Sequence, residues 1–157
     1  TRTGGGSLAS LSVGARTSSA GGAGRFGLYY EAIPYGGSAT GSLSLSALRQ
    51  DADNRTNLAC VNTGEHDGGP IDLKLEIFDG RTGTLAATDQ KSFLGMSAQG
   101  FVQLDSVLKT FAPSASNGYA RVTRTSGGNP FLCYAVINDG GIPRSRTDDG
   151  AFIAADE

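Results

Sequence analysis

Apolar and polar residues alternate with a period of two along most of the chain, the spacing that puts successive side chains on opposite faces of a β-strand. Residues 71–78 carry the pattern most clearly: Ile71, Leu73, Leu75 and Ile77 fall on one face, and Asp72, Lys74 and Glu76 on the other. The same reading predicts strands over residues 7–16, 25–34, 42–48, 56–62, 84–93, 100–104 and 119–125, and a closing strand at 151–154. In 25–34, Phe26, Leu28, Tyr30 and Ala32 share a face, and in 42–48, Leu43, Leu45 and Ala47 alternate with serines. Residues 130–137 are apolar on both faces, which predicts a central strand covered from both sides. Asp79-Gly80-Arg81-Thr82-Gly83 forms a Gly-bearing hairpin connection. The helical stretch is short, residues 106–111, with Asp105 as its N-cap.

Short strands punctuated by Gly, Asn and Asp turns predict an all-β fold. The expected form is an antiparallel β-sandwich of immunoglobulin-like or jelly-roll-like kind, with a closed barrel as the alternative. Residues 7–16 place Ala9, Leu11, Val13 and Ala15 on one face. They predict an N-terminal extension strand within a Gly/Ser-rich arm, residues 1–24, ahead of a sandwich domain at 25–157. The loops at 17–24 and 140–147 are long for hairpins, so mobility or function is expected there.

Composition narrows the classes. The chain has 157 residues, enough for one domain with a real core. Its 24 glycines oppose long helices, since each interior Gly costs about 1 kcal/mol against Ala. They follow no G-X-Y period, which excludes collagen. No apolar run approaches the ~18 residues of a membrane helix. Charge is split: residues 1–30 hold Arg2, Arg16 and Arg25 and no acid, a charge of +3, while the remaining 10 bases and 15 acids give −5. A basic arm can dock on an acidic body, its own or a neighbour's. The net charge of −2 argues against nucleic acid as a partner. The chain opens at Thr1 with no charged and apolar leader, which fits export after removal of a signal peptide.

Few residues suggest chemistry. Cys60 and Cys133 both lie in apolar strands. In an exported chain they can form one disulfide, or they can be two buried thiols; the context favours the bridge. His66, the sole histidine, sits in a Gly-rich loop and reads as a solvated side chain rather than a metal or triad member. Gly95-Met96-Ser97-Ala98-Gln99-Gly100 misses the nucleophile-elbow spacing by one position. Gly22-Ala23-Gly24-Arg25-Phe26-Gly27 matches a dinucleotide fingerprint but precedes a strand, not the helix that fingerprint needs. Asp139, Asp148 and Asp149 are the best candidate ligands for calcium, with Asx turns as the simpler reading. No other cofactor is expected, and no enzyme.

Several segments together resemble a repeat unit common in secreted bacterial multidomain proteins. They are Gly24-Arg25-Phe26-Gly27 with Ala32-Ile33-Pro34, Leu48-Arg49-Gln50-Asp51, Arg55-Thr56-Asn57-Leu58 with Val61-Asn62, Gly118-Tyr119-Ala120, Tyr134-Ala135-Val136 with Asp139, and Asp149-Gly150 with Phe152-Ile153. Such units accompany immunoglobulin-like modules and secreted peptidases, and no activity of their own carries over. The resemblance implies two related halves, with residues 7–34 matching the last hairpin of the preceding half. It also implies that the two cysteines stand where aliphatic or small residues are usual, as in a lineage-specific bridge. The expectation is an extracellular structural protein that polymerises with itself, its N-terminal strand filling a neighbour. The alternative is an adhesin or glycan-binding module, with a cell-surface glycan or protein as partner and no membrane insertion.

Overall fold

The computed structural model describes residues 13–21, 24–147 and 150–156. The body is a sandwich of two four-stranded antiparallel sheets. Its strands are β5 (Ser42–Arg49), β6 (Asn54–Asn62), β7 (Asp72–Asp79), β8 (Leu85–Asp89), β9 (Phe101–Leu104), β10 (Asn117–Ser126), β11 (Phe131–Asp139) and β12 (Gly150–Ala154). One sheet runs β5-β10-β7-β8, the other β12-β11-β6-β9. The predicted all-β sandwich is therefore the fold. β7 folds as its alternation dictates: Leu73, Leu75 and Ile77 are at most 1% exposed. Its hairpin closes on Asp79, whose carboxylate accepts from the backbone N–H groups of Arg81 and Thr82 at 2.9 and 2.8 Å. β11 is central, paired with β6 on one side and β12 on the other, and its inward residues Phe131, Cys133 and Ala135 join the core.

Two local expectations are corrected. In β5 the alternation breaks: Leu43 and Leu45 are buried, Ala47 is exposed with φ 58°, and Leu48 is fully buried instead. A bulge causes this, because Ala120 pairs with Leu45 and Gly118 with Leu48, leaving an extra residue in β5 that turns its face over. The helix, α1 (Val107–Phe111), is capped by Ser106 in the left-handed region and not by Asp105. Asp105 accepts from the Gln103 amide at 2.8 Å, while the Ser106 N–H is held by the Asn57 side-chain oxygen at 2.9 Å.

The N-terminal segment is a hairpin. Its pieces are β1 (Gly14–Arg16), β2 (Ser19–Gly21), β3 (Gly24–Phe26) and β4 (Tyr29–Glu31). β1 pairs with β4 and β2 with β3 in one uninterrupted register, from Gly14 opposite Glu31 to Gly21 opposite Gly24. Within the expected loop at 17–24, residues 19–21 instead pair with 24–26, and the boundary drawn at residue 24 falls within that hairpin. Between the two ladders Gly27 lies so close to the Thr17 carbonyl that a Cβ would overlap it, so a side chain there would force the arms apart.

The sandwich closes on one side: β5 and the chain after β12 exchange both backbone hydrogen bonds between Ser44 and Asp156, at 2.7 and 2.9 Å. On the other side β8 bonds β7 alone and β9 bonds β6 alone, among the described residues.

Candidate functional site

The outward face of the β12-β11-β6-β9 sheet is built from Asn57, Ala59 and Val61 of β6, Leu132, Tyr134, Val136 and Asn138 of β11, Gln103 of β9 and Phe152 of β12. These alternate with the core-facing residues of the same strands. Apolar and neutral polar side chains dominate it. The N-terminal hairpin lies across this face. Leu28 is 8% exposed, packed over Gly150, where an added Cβ would come within 2.8 Å of Val136 and 3.3 Å of Leu28. Tyr30 meets Tyr134 and Phe152 edge-on, at 5.6 and 5.7 Å between ring centroids, and Tyr134 stacks on Phe152 at 5.5 Å. Burial, with Tyr30 beside it, raises the Tyr134 hydroxyl above the usual tyrosine range.

Hairpin and sheet enclose a cleft of about 310 Å³. Its walls come from Thr17 and Ser19, from Tyr30 and Tyr134, from Asn57, Gln103 and Asn138, and from Thr147 at the end of the 140–147 loop. The two loops singled out in the sequence therefore meet at one place. Asn57, Gln103 and Asn138 were not legible as a group. They lie on three different strands, and each looks like an ordinary outward polar residue. The available signal was a contrast: the outward positions of β7 carry charge, and these do not.

A second, apolar groove of about 470 Å³ runs beside it, lined by Ile33, Pro34, Val61, Leu132, Phe152 and Ala154 among others.

The other sequence candidates are placed as follows. Cys60 and Cys133 sit directly opposite each other on β6 and β11, with Cα atoms 4.1 Å apart, and form a disulfide. Of the assembly strand, Val13 and Ala15 are exposed, while Ala9 and Leu11 lie outside the described residues. Asp139 is engaged by the Thr147 hydroxyl at 2.7 Å and by Arg146, which also binds Asp53. The Thr147 bond foremost holds its carboxyl below the usual range. Asp148 and Asp149 lie outside the described residues, among which no group of three or more acids, His or Cys is placed to hold a metal. His66 is exposed, with Nδ1 3.1 Å from the Gly128 carbonyl. Among the described residues no helix is long and apolar enough to cross a membrane.

Comparison with family models, curated proteins and solved structures yields no match to this chain.

Proposed function

We propose that the protein is an extracellular structural module that assembles by strand addition, with the alternating N-terminal segment of one copy pairing with the free edge of β9 in the next. The observation that carries the reading is Val13, 53% exposed on the alternating face, beside a partner strand that has no backbone donor at Pro34. Val13 accepts from the Ala32 N–H at 2.9 Å, and Thr17 donates to Leu28 at 3.0 Å, so the hydrogen-bonded rungs fall on alternate residues. The next rung toward the N-terminus would need an amide at position 34. Proline has none, and the Pro34 carbonyl already accepts from Gly37 at 2.9 Å. Position 34 therefore has no amide to donate to a continuation of the ladder. Val13 is the described end of the alternating apolar face, and it is exposed.

β9 supplies a matching vacancy. Val102 and Leu104 face the core yet are only partly buried, and no described residue bonds the outer edge of their strand. An added strand with Leu11 and Val13 on that side would complete their burial, and each such side chain is worth about 1.5–3 kcal/mol when fully covered. The charge of +3 on residues 1–30 and −5 on the remainder favours encounter between copies. A head-to-tail contact of this kind need not close, so it propagates into filaments. The disulfide fits an oxidising compartment. The resemblance to repeat units of secreted proteins points the same way. No catalytic residue belongs to this reading.

The test is deletion of residues 1–12, which keeps the Val13 rung, followed by sedimentation velocity and electron microscopy. The full chain is expected to form concentration-dependent assemblies. The deletion and Leu11→Arg are expected to give monomers that melt at an unchanged temperature. Assemblies that survive the deletion, a full chain that stays monomeric, or a deletion that unfolds the domain would each overturn it.

A further inference from the structure

The cleft between the hairpin and the sheet shares one residue, Gln103, with β9 and carries its own chemistry. Three carboxamides line it, and each is oriented by one bond to the protein. The Asn57 side-chain oxygen accepts from the Ser106 N–H at 2.9 Å, so its NH2 points away from that bond. The Gln103 NH2 donates to Asp105 at 2.8 Å, and the Asn138 NH2 donates to the Val136 carbonyl at 3.2 Å. Their amide oxygens have no partner among the described residues. The cleft thus holds one oriented donor group and two oriented acceptors, beside the Tyr30 and Tyr134 hydroxyls and the hydroxyls of Thr17 and Ser19. Among the described residues that line it none is charged.

We infer that this cleft binds a neutral polyhydroxylated ligand, a sugar ring of a glycan. Adjacent sugar hydroxyls each donate and accept, which is what alternating amide oxygens, amide NH2 groups and hydroxyls satisfy. Among the described lining residues an anionic or cationic ligand would find no counter-charge to offset its lost hydration. The apolar floor of Ala59, Val136 and the Tyr134 ring suits the C–H face of a pyranose. The volume stands at the lower end of ligand pockets, ~300–1,000 Å³, and suits a small terminal unit rather than an enclosed chain.

The experiment uses the full chain on an array of neutral and charged glycans, followed by amide NMR titration with the bound neutral oligosaccharide. Saturable shifts are expected at Asn57, Gln103 and Gly150. Gln103→Ala, at an exposed position, is expected to weaken binding about 5–10-fold, the equivalent of one hydrogen bond, with no change in melting temperature. Asn57→Ala is expected to weaken it at least as much. The inference fails if no neutral glycan binds at about 10 mM, well above a millimolar Kd. It fails equally if charged glycans bind better, or if Gln103→Ala leaves the affinity unchanged. Because Gln103 lies on β9, the titrations are repeated on the chain lacking residues 1–12, which separates failure of glycan binding from failure of assembly.

Discussion

Removing the Cys60–Cys133 cross-link tests how this sandwich is stabilised. The two cysteines are 73 residues apart, and their side chains are buried, at 1% and 4% exposure. They lie at directly opposed positions of two central strands, already aligned by the β6–β11 ladder. The bridge therefore adds little order to the folded state, and its effect falls mainly on the unfolded chain. Closing a loop of 73 residues lowers the entropy of that chain enough to stabilise the fold by about 4 kcal/mol in the chain-entropy model. For a domain whose whole stability is about 5–15 kcal/mol this is a large share. It corresponds to a fall of about 8–16 °C in Tm at this chain length. The assay is urea unfolding of the oxidised protein, of the protein refolded under reductant, and of Cys60→Ala/Cys133→Ala. The reduced protein keeps both sulfurs in the core and isolates the cross-link. The double variant adds a packing loss on the order of 1 kcal/mol. The slope of stability against urea is expected to rise in both, because the unlinked unfolded chain exposes more surface. If the reduced protein lay within about 1 kcal/mol of the oxidised one, the loop-entropy reasoning would be wrong here.

Ala47→Gly is expected to stabilise by about 0.5–1 kcal/mol, because Ala47 holds φ 58° at the β5 bulge and glycine does so without a Cβ clash; a lower melting temperature would contradict this. Asn129→Ala is expected to cost about 2–4 kcal/mol and to release amide exchange across residues 66–69. The buried Asn129 side chain accepts from the backbone N–H groups of His66 and Asp67 and donates to the carbonyls of Asp67 and Gly69; retained protection at those amides would count against it. Acid unfolding is expected as pH falls from about 4 toward 2. Asp51, foremost through the Asn54 side chain and the Asp53 N–H, is held at about 2 against an ordinary 3.8. Glu65, Asp72, Asp79 and Asp139 are also lowered, by hydrogen bonds led by Ser38, Ser126, the Thr82 N–H and Thr147 respectively. The unfolded chain binds protons more tightly at these sites, so their stabilisation is full above the ordinary carboxylate range and lost below it. Asp51→Asn should flatten the acid limb; an unchanged acid profile would refute the assignment.

Much of the sandwich is legible in the pattern because burial and period coincide there. Ile71, Leu73, Leu75 and Ile77 announce both a strand and its inward face, and the doubly apolar run at 130–137 announces a centre. The pattern fails where the backbone departs from an ideal pleat. At β5 one inserted residue inverts the face, and nothing in a Ser/Leu/Ala alternation marks Ala47 as the position that takes the positive φ. It fails again over residues 17–24, read as a loop: Ser19-Ala20-Gly21 is too weak in apolar contrast to show a period, so register alone reveals β2. The cleft fails for a third reason. Its carboxamides come from β6, β9 and β11, and their convergence depends on sheet order, which short-range pattern does not encode.

The two outer faces of the sandwich were made differently, and that difference is where the functional argument rests. Outside the β5-β10-β7-β8 sheet, Glu76 bridges Lys74 at 3.1 Å and Arg121 at 2.9 Å, and Arg121 covers the Phe78 ring at 5.4 Å. Burial of Glu76 works to raise its carboxyl, but those two cations hold it below the usual range, so the face stays ionised and is at home in water. Outside the other sheet, the charge at Arg55 is 5% exposed, with its guanidinium donating to the Gly140 carbonyl at 2.8 Å. Among the described residues the rest of that face, between Asn57 and Phe152, is neutral. A sheet needs charge on a face that meets water and can dispense with it on a face that is covered. The hairpin from Val13 to Ala32 covers part of it, leaving a polar cleft on one flank and an apolar groove on the other. A neutral face half-closed by a hairpin is the feature on which both proposals rest, a sugar in the cleft and another copy at the β9 edge.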